Sequence, residues 1–169
     1  MHNVQRKKVC ILGAAATGKT SLVAASSGVA LSGGYESTLG VRITKAVVTI
    51  GERLRELVLW DIKGESEFYR IPPVYLAGSD GYVLVADGTR RASVEHAMEL
   101  RARVRAIAGD LPHMLLITKK DLFDAWEVDE ALLSSLRARG EEAYPCSAHG
   151  GIGVQNAMES LARAMWGVK

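Results

Sequence analysis

Short apolar runs recur along the chain and set its rhythm. KVCILG (8–13), ELVLWD (56–61), GYVLVAD (81–87) and HMLLIT (113–118) are brief and almost uninterrupted in apolar character. Runs of that length without alternation read as strands covered on both faces. AYPC (143–146) is a weaker candidate of the same kind. Helical patterns or long loops separate the runs. The chain therefore reads as successive strand–helix units, which build a mostly parallel sheet with helices on both faces. One pair departs from that scheme. VRITKAVVTIG (41–51) is β-branched and turns through Gly51 and Glu52 into RLRELVLWD (53–61), which predicts an antiparallel hairpin. The clearest helix is the last, where Val154, Ala157, Met158, Leu161, Ala162 and Met165 recur at helical spacing and form one apolar stripe. Over 92–108, Val94, Ala97, Met98, Val104 and Ile107 form a second apolar face, and Gly109 ends that helix.

Composition narrows the class. A chain of 169 residues suits a single domain, residues 1–169, with room for a full sheet-and-helix core. A net charge of +2 is too small to imply a nucleic-acid or membrane partner, and no nucleic acid is expected. Arg101, Arg103 and Arg105 alternate, which is read as the solvated side of a helix. Cys10 and Cys146 have no nearby Cys or His at metal-ligand spacing and fit buried free thiols in a reducing cytosol. No segment is apolar enough to span a membrane, and MHNVQRKK lacks the apolar centre of a signal peptide, so a cytoplasmic location is expected.

The strongest chemical signal is GAAATGKT, Gly13 to Thr20, which fits G-x-x-x-x-G-K-[ST] and directly follows the first strand. Main-chain N–H groups of Ala15, Ala16, Thr17 and Gly18, and of the helix N-terminus through Ser21, are expected to point at phosphate oxygens. Lys19 would neutralise β- and γ-phosphate charge, and the Thr20 hydroxyl would ligate Mg²⁺. That loop does not choose between adenine and guanine. TKKD, Thr118 to Asp121, makes the choice at the end of a parallel strand, where ligands bind in open α/β sheets. The Asp121 carboxylate can accept from guanine N1 and the 2-amino group, and adenine offers neither donor. The Lys119 stem can pack beside sugar and base. In SAH, Ser147 to His149, the Ala148 N–H suits guanine O6 and Ser147 can orient Asp121. WDIKG (60–64) brings Asp61, suited to hold Mg²⁺ through water, and Gly64, whose N–H can meet a γ-phosphate. YESTLGV (35–41) brings Thr38, suited to complete the Mg²⁺ shell.

With these motifs in place the chain resembles the Ras superfamily, closest in style to Rab proteins. GAAATGKT, TLGV, WDxxG, TKKD and SAH stand in that family's order and at about its spacing, over nearly the whole chain. The resemblance implies an α/β P-loop G domain, with a six-stranded sheet containing one antiparallel strand and with five helices. It implies GTP and GDP with Mg²⁺ as cofactors. It also implies a switch read by effector and regulator proteins near 35–45 and 62–77.

Departures from the family pattern fall on the hydrolytic side. Glu65 stands where Gln usually orients the attacking water, and Ala15 and Ala16 replace a glycine pair beside the phosphates. Lys63 replaces Ala in the second switch and is a cation near enough in sequence to neutralise Glu65. Leu31 replaces the Phe that packs on guanine, Thr118 replaces Asn, and His149 replaces Lys. Arg42 and Arg70 are candidates for an arginine acting on phosphate from within the chain. AMWGVK has no cysteine for the prenyl anchor of eukaryotic relatives, which with the Gly/Ala-rich character points to a prokaryotic member. The expectation is a GTP/GDP switch with slow hydrolysis, Lys19, Gly64 and Glu65 being the catalytic candidates. The alternative is a hydrolysis-deficient, nucleotide-gated scaffold. A P-loop enzyme that phosphorylates a small molecule is disfavoured by TKKD and by the lack of a second substrate lid.

Overall fold

In the computed structural model, which describes residues 5–27, 35–36, 40–66 and 69–168, the apolar runs pair side by side as one sheet. The strands are β1 (Arg6–Gly13), β2 (Tyr35–Glu36), β3 (Val41–Ile50), β4 (Arg53–Ile62), β5 (Gly81–Asp87), β6 (His113–Thr118) and β7 (Ala143–Pro145). Their order is β2-β3-β4-β1-β5-β6-β7. Six strands make the sheet proper, and the two-residue β2 extends its antiparallel edge. β3 is the one strand running against its neighbours. It pairs with β4 from Val41↔Ile62 to Ile50↔Arg53, and Gly51, at φ 61, makes the turn between them.

The helices are α1 (Lys19–Ser27), α2 (Arg91–Ala108), α3 (Glu130–Ala138) and α4 (Val154–Trp166). Successive residues of a strand point to opposite faces, and each face of the sheet finds its own cover. Val9 and Ile11 of β1, with Val83 and Val85 of β5, meet α1 and the Val154–Met165 stripe of α4. Cys10, Leu12, Leu84 and Ala86 face α2 and α3. The parallel central strands are therefore buried on both sides, which is why their sequences run apolar without alternation.

Three expectations need correction. The resemblance implied five helices, and the described residues form four. After the second switch, Pro72, itself followed by a proline, is extended (φ −61, ψ 130), and only a 3₁₀ turn, Pro73–Leu76, follows before Gly78. Ile107 is 52% exposed. It borders a groove beside Ile71 and Leu76 rather than the sheet, and Leu100 fills the core position instead. The alternating arginines do not share a solvated face. Residues two apart on a helix point about 200° from each other. Arg105 is exposed, but Arg101 is drawn to the buried Glu141 at 2.8 Å and Arg103 to Glu65.

Candidate functional site

Because β1, β4, β5, β6 and β7 run parallel, Gly13, Asp61, Asp87, Thr118 and Pro145 reach the same edge of the sheet. The loop after β1 wraps the start of α1. Ala16 takes φ 61, a left-handed conformation that favours glycine and that an alanine holds under mild strain. Thr17 is buried, and its hydroxyl donates to the Ala14 carbonyl at 3.0 Å. Lys19 is only 6% exposed, and its Nζ donates to the Ala14 carbonyl at 2.7 Å. Burial lowers its pKa to about 8, although the nearby Asp61 charge pulls the other way. Ala15, Ala16, Gly18, Lys19, Thr20 and Ser21 line a cavity of ≈ 430 Å³ whose far wall is Asp61–Gly64 and Ser66.

Of the residues named for Mg²⁺, Thr20 and Asp61 fit that ion. Thr20 Oγ1 donates to Asp61 Oδ2 at 2.7 Å, so a hydroxyl and a carboxylate converge at the mouth of the cavity. Both are hard oxygen donors, and one carboxylate suits a metal whose remaining ligands are phosphate oxygens and water. Arg42 lines the adjoining cavity with Thr20 and Asp61. Thr38 and Leu31 lie outside the described residues.

The base loops are tied to the phosphate loop. Thr118 Oγ1 donates to the Thr17 carbonyl at 2.6 Å and lies 3.0 Å from the Ala86 carbonyl. A threonine with its hydroxyl turned inward thus spans three elements where the family usually has Asn. Lys119, at φ 67, donates through Nζ to the Ala16 carbonyl at 3.2 Å and to Asp87 Oδ2 at 2.7 Å. Lys120 N donates to the Cys146 carbonyl, which joins the two base loops. Ser147 Oγ donates to Asp121 Oδ1 at 2.6 Å, and that bond holds the Asp121 carboxyl below its ordinary value. Ala148 is half-buried at the head of the short turn His149–Gly151, and His149 is exposed.

Asp87 had no assigned role in the sequence, although GYVLVAD ends on it. Burial raises its pKa, but bonds from Lys119 and Thr89 outweigh that and bring it down to about 2. Only the register of the neighbouring parallel strands, which places Asp87 opposite Thr118, brings it to Lys119.

The second switch holds the largest surprise. Glu65 is buried, and its carboxylate is turned under α2, away from the phosphate loop. Arg103 grips it with both terminal nitrogens, the Ile71 N–H donates at 3.0 Å, and Arg70 and His96 stand at 3.4 and 3.3 Å. Lys63 does not neutralise it. The Lys63 ammonium lies 5.0 Å over the Tyr69 ring instead. The Glu65 main chain meanwhile pairs with the phosphate loop. Its N–H donates to the Gly13 carbonyl at 3.0 Å, and its carbonyl accepts from Ala15 N at 2.8 Å. Gly64 is pressed onto the same loop. A Cβ there would lie 2.6 Å from the Ala14 oxygen, 2.6 Å from Ala15 Cα and 2.5 Å from Lys19 Nζ. Lysine could yield, but the loop backbone could not. Gly64→Ala is expected to cost roughly 1–3 kcal/mol of stability, the usual penalty of overpacking, as measured by urea denaturation.

A phosphate loop, a hydroxyl–carboxylate pair and a Ser–Asp base loop at one edge of a parallel sheet define a P-loop nucleotide-binding protein. The Ras family model matches residues 8–166, and the chain belongs to the Ras family. It is similar to the Ras-related protein Rab-7b of Homo sapiens, at 30% identity over 92% of this chain and 80% of the relative. It is similar also to Rab-21 of Geodia cydonium, at 29% over 94% and 70%. Human Rab-31 is 27% identical over 96% and 85%. The protein is thus a small GTPase of the Ras family with distant Rab relatives, a membership that implies a GTP/GDP switch.

Proposed function

We propose that the chain is a single G domain that switches between GTP- and GDP-bound forms and hydrolyses GTP slowly. The observation that carries this reading is the Thr118–Thr17 bond, because it ties TKKD to the phosphate loop and so supports one continuous site for phosphates and base. Lys19 holds the β- and γ-phosphates, amides from Ala15 to Ser21 cradle them, and Thr20, Asp61 and Thr38 hold the metal. When bound, Mg²⁺ supplies neutralisation of the developing phosphate charge. Asp121, oriented by Ser147, reads the guanine edge. Lys119, Ala148, His149 and Leu31 border the base. Effectors and regulators read the segments near 35–45 and 62–77. Two buried free cysteines fit a cytoplasmic location.

Slow hydrolysis follows from where Glu65 sits. A carboxylate can only accept a hydrogen bond and repels the γ-phosphate, at about 4 kcal/mol for two unit charges 4 Å apart at an effective dielectric of about 20. Under α2 the same carboxylate meets two arginines and a main-chain N–H, so its charged form is stabilised there. That leaves no side chain at position 65 to orient the water. Single-turnover GTP hydrolysis tests this with wild type and three variants. Glu65→Gln is expected to be faster than wild type, because a neutral amide is held less firmly by Arg103 and tolerates the phosphate. Glu65→Ala is expected to be no faster than wild type. If Glu65→Ala is much slower and Arg103→Ala is not, Glu65 is a working catalytic group and the reading fails. The burial of Glu65 also favours a second reading, a hydrolysis-deficient scaffold gated by exchange alone. No turnover by either wild type or Glu65→Gln would select it.

A further inference from the structure

We infer that Arg103 is a positioning residue for the second switch, holding Glu65 so that its main chain stays paired with the phosphate loop. The inference rests on the reading of Gly13–Thr20 as a phosphate loop for its consequence, but not for its geometry.

One residue is fixed at both ends. The Glu65 side chain is 0% exposed, and Arg103 contacts both of its oxygens, a forked arrangement that sets direction as well as distance. The Glu65 main chain forms two bonds to the loop, one to Gly13 and one from Ala15. Arg103 lies on α2, whose buried face of Val94, Ala97, Leu100 and Val104 is packed on the sheet. α2 is therefore a rigid base, and Glu65 is the strut between it and the phosphate loop. Gly64, one residue earlier, is thereby pressed onto Ala15 and Lys19. Losing the Arg103 fork removes the two-pronged anchor to α2 and leaves the carboxylate with the Ile71 N–H at 3.0 Å and His96 at 3.3 Å, neither of which grips both oxygens. Arg70 is largely exposed and makes one long contact, so it does not replace that anchor. The Arg103 side chain is itself 40% exposed, so the strut can be reached from outside the fold.

Two measurements on the full chain test this, with wild type, Arg103→Ala, Arg103→Lys, Glu65→Ala and the double variant. The first is amide hydrogen exchange at Ala15 and Glu65, without nucleotide, with Val83 and Leu84 as internal controls. Arg103→Ala is expected to speed exchange at Ala15 and Glu65 about tenfold and leave the controls unchanged, within the about 2- to 150-fold span of couplings between contacting residues. Arg103→Lys should restore part of the protection. The second is release of a fluorescent GDP analogue. Arg103→Ala and Glu65→Ala should each speed release, and the double variant should be no faster than Glu65→Ala. Unchanged amide protection in Arg103→Ala, or additive effects on release, would overturn the inference. If wild type binds no guanine nucleotide, the functional reading fails. Amide exchange alone then decides, with loss of protection supporting the strut and unchanged protection overturning it.

Discussion

Lys19→Ala should lower affinity for GDP and GTP by at least about a hundredfold, since each charge-assisted hydrogen bond to phosphate is worth roughly 1.5–3 kcal/mol and the lysine would make more than one. The same substitution should leave the free protein as stable as wild type, or more so. Lys19 is a buried cation whose nearest bonding partner is a neutral carbonyl of the loop, and burial has brought its pKa to about 8. Between pH 8 and the ordinary lysine value of 10.5, the unfolded chain holds more protons than the folded one. Stability of the free protein therefore rises with pH across that window. A bound polyphosphate favours the charged lysine, so binding should take up protons at pH 8 to 9. Calorimetry in buffers of different ionisation enthalpy measures that uptake, and thermal unfolding measures stability. Retained affinity in Lys19→Ala would remove the phosphate-loop assignment.

Asp121→Asn should weaken GTP binding about ten- to a hundredfold, the range expected for loss of a charged hydrogen bond. It should also improve binding of xanthine nucleotides, because xanthine presents an acceptor where guanine presents its 2-amino donor. The structure adds a reason to expect a clean result. Asp121 is exposed and accepts from Ser147 Oγ, so an amide can occupy the site without disturbing the core. Fluorescence competition between the two bases reads the switch. Equal loss for both would mean that Asp121 does not face the base edge.

The parts of this site that could be read in the sequence are those whose chemistry is confined to one loop. GAAATGKT, TKKD and SAH each need given residue types at fixed spacing, and strand periodicity placed each motif just after a strand. What could not be read depends on distant partners. Glu65 meets Arg103 across 38 positions, and Lys119 meets Asp87 across 32. Nothing local marks either pair. The arginines of α2 form no solvated stripe, because alternation by two is not a helical period, and Arg101 and Arg103 reach buried carboxylates. The fifth helix was expected from resemblance alone, and the Pro72–Pro73 pair was the local sign against it.

Guanine specificity carries most of the functional reading, and it can be measured on the purified chain. Titration calorimetry with Mg²⁺ present should show GDP and GTP binding and no detectable binding of ATP at the same concentrations. ATP binding with an affinity comparable to that of GTP would contradict the assignment of Asp121, Ser147 and Ala148 as a guanine site.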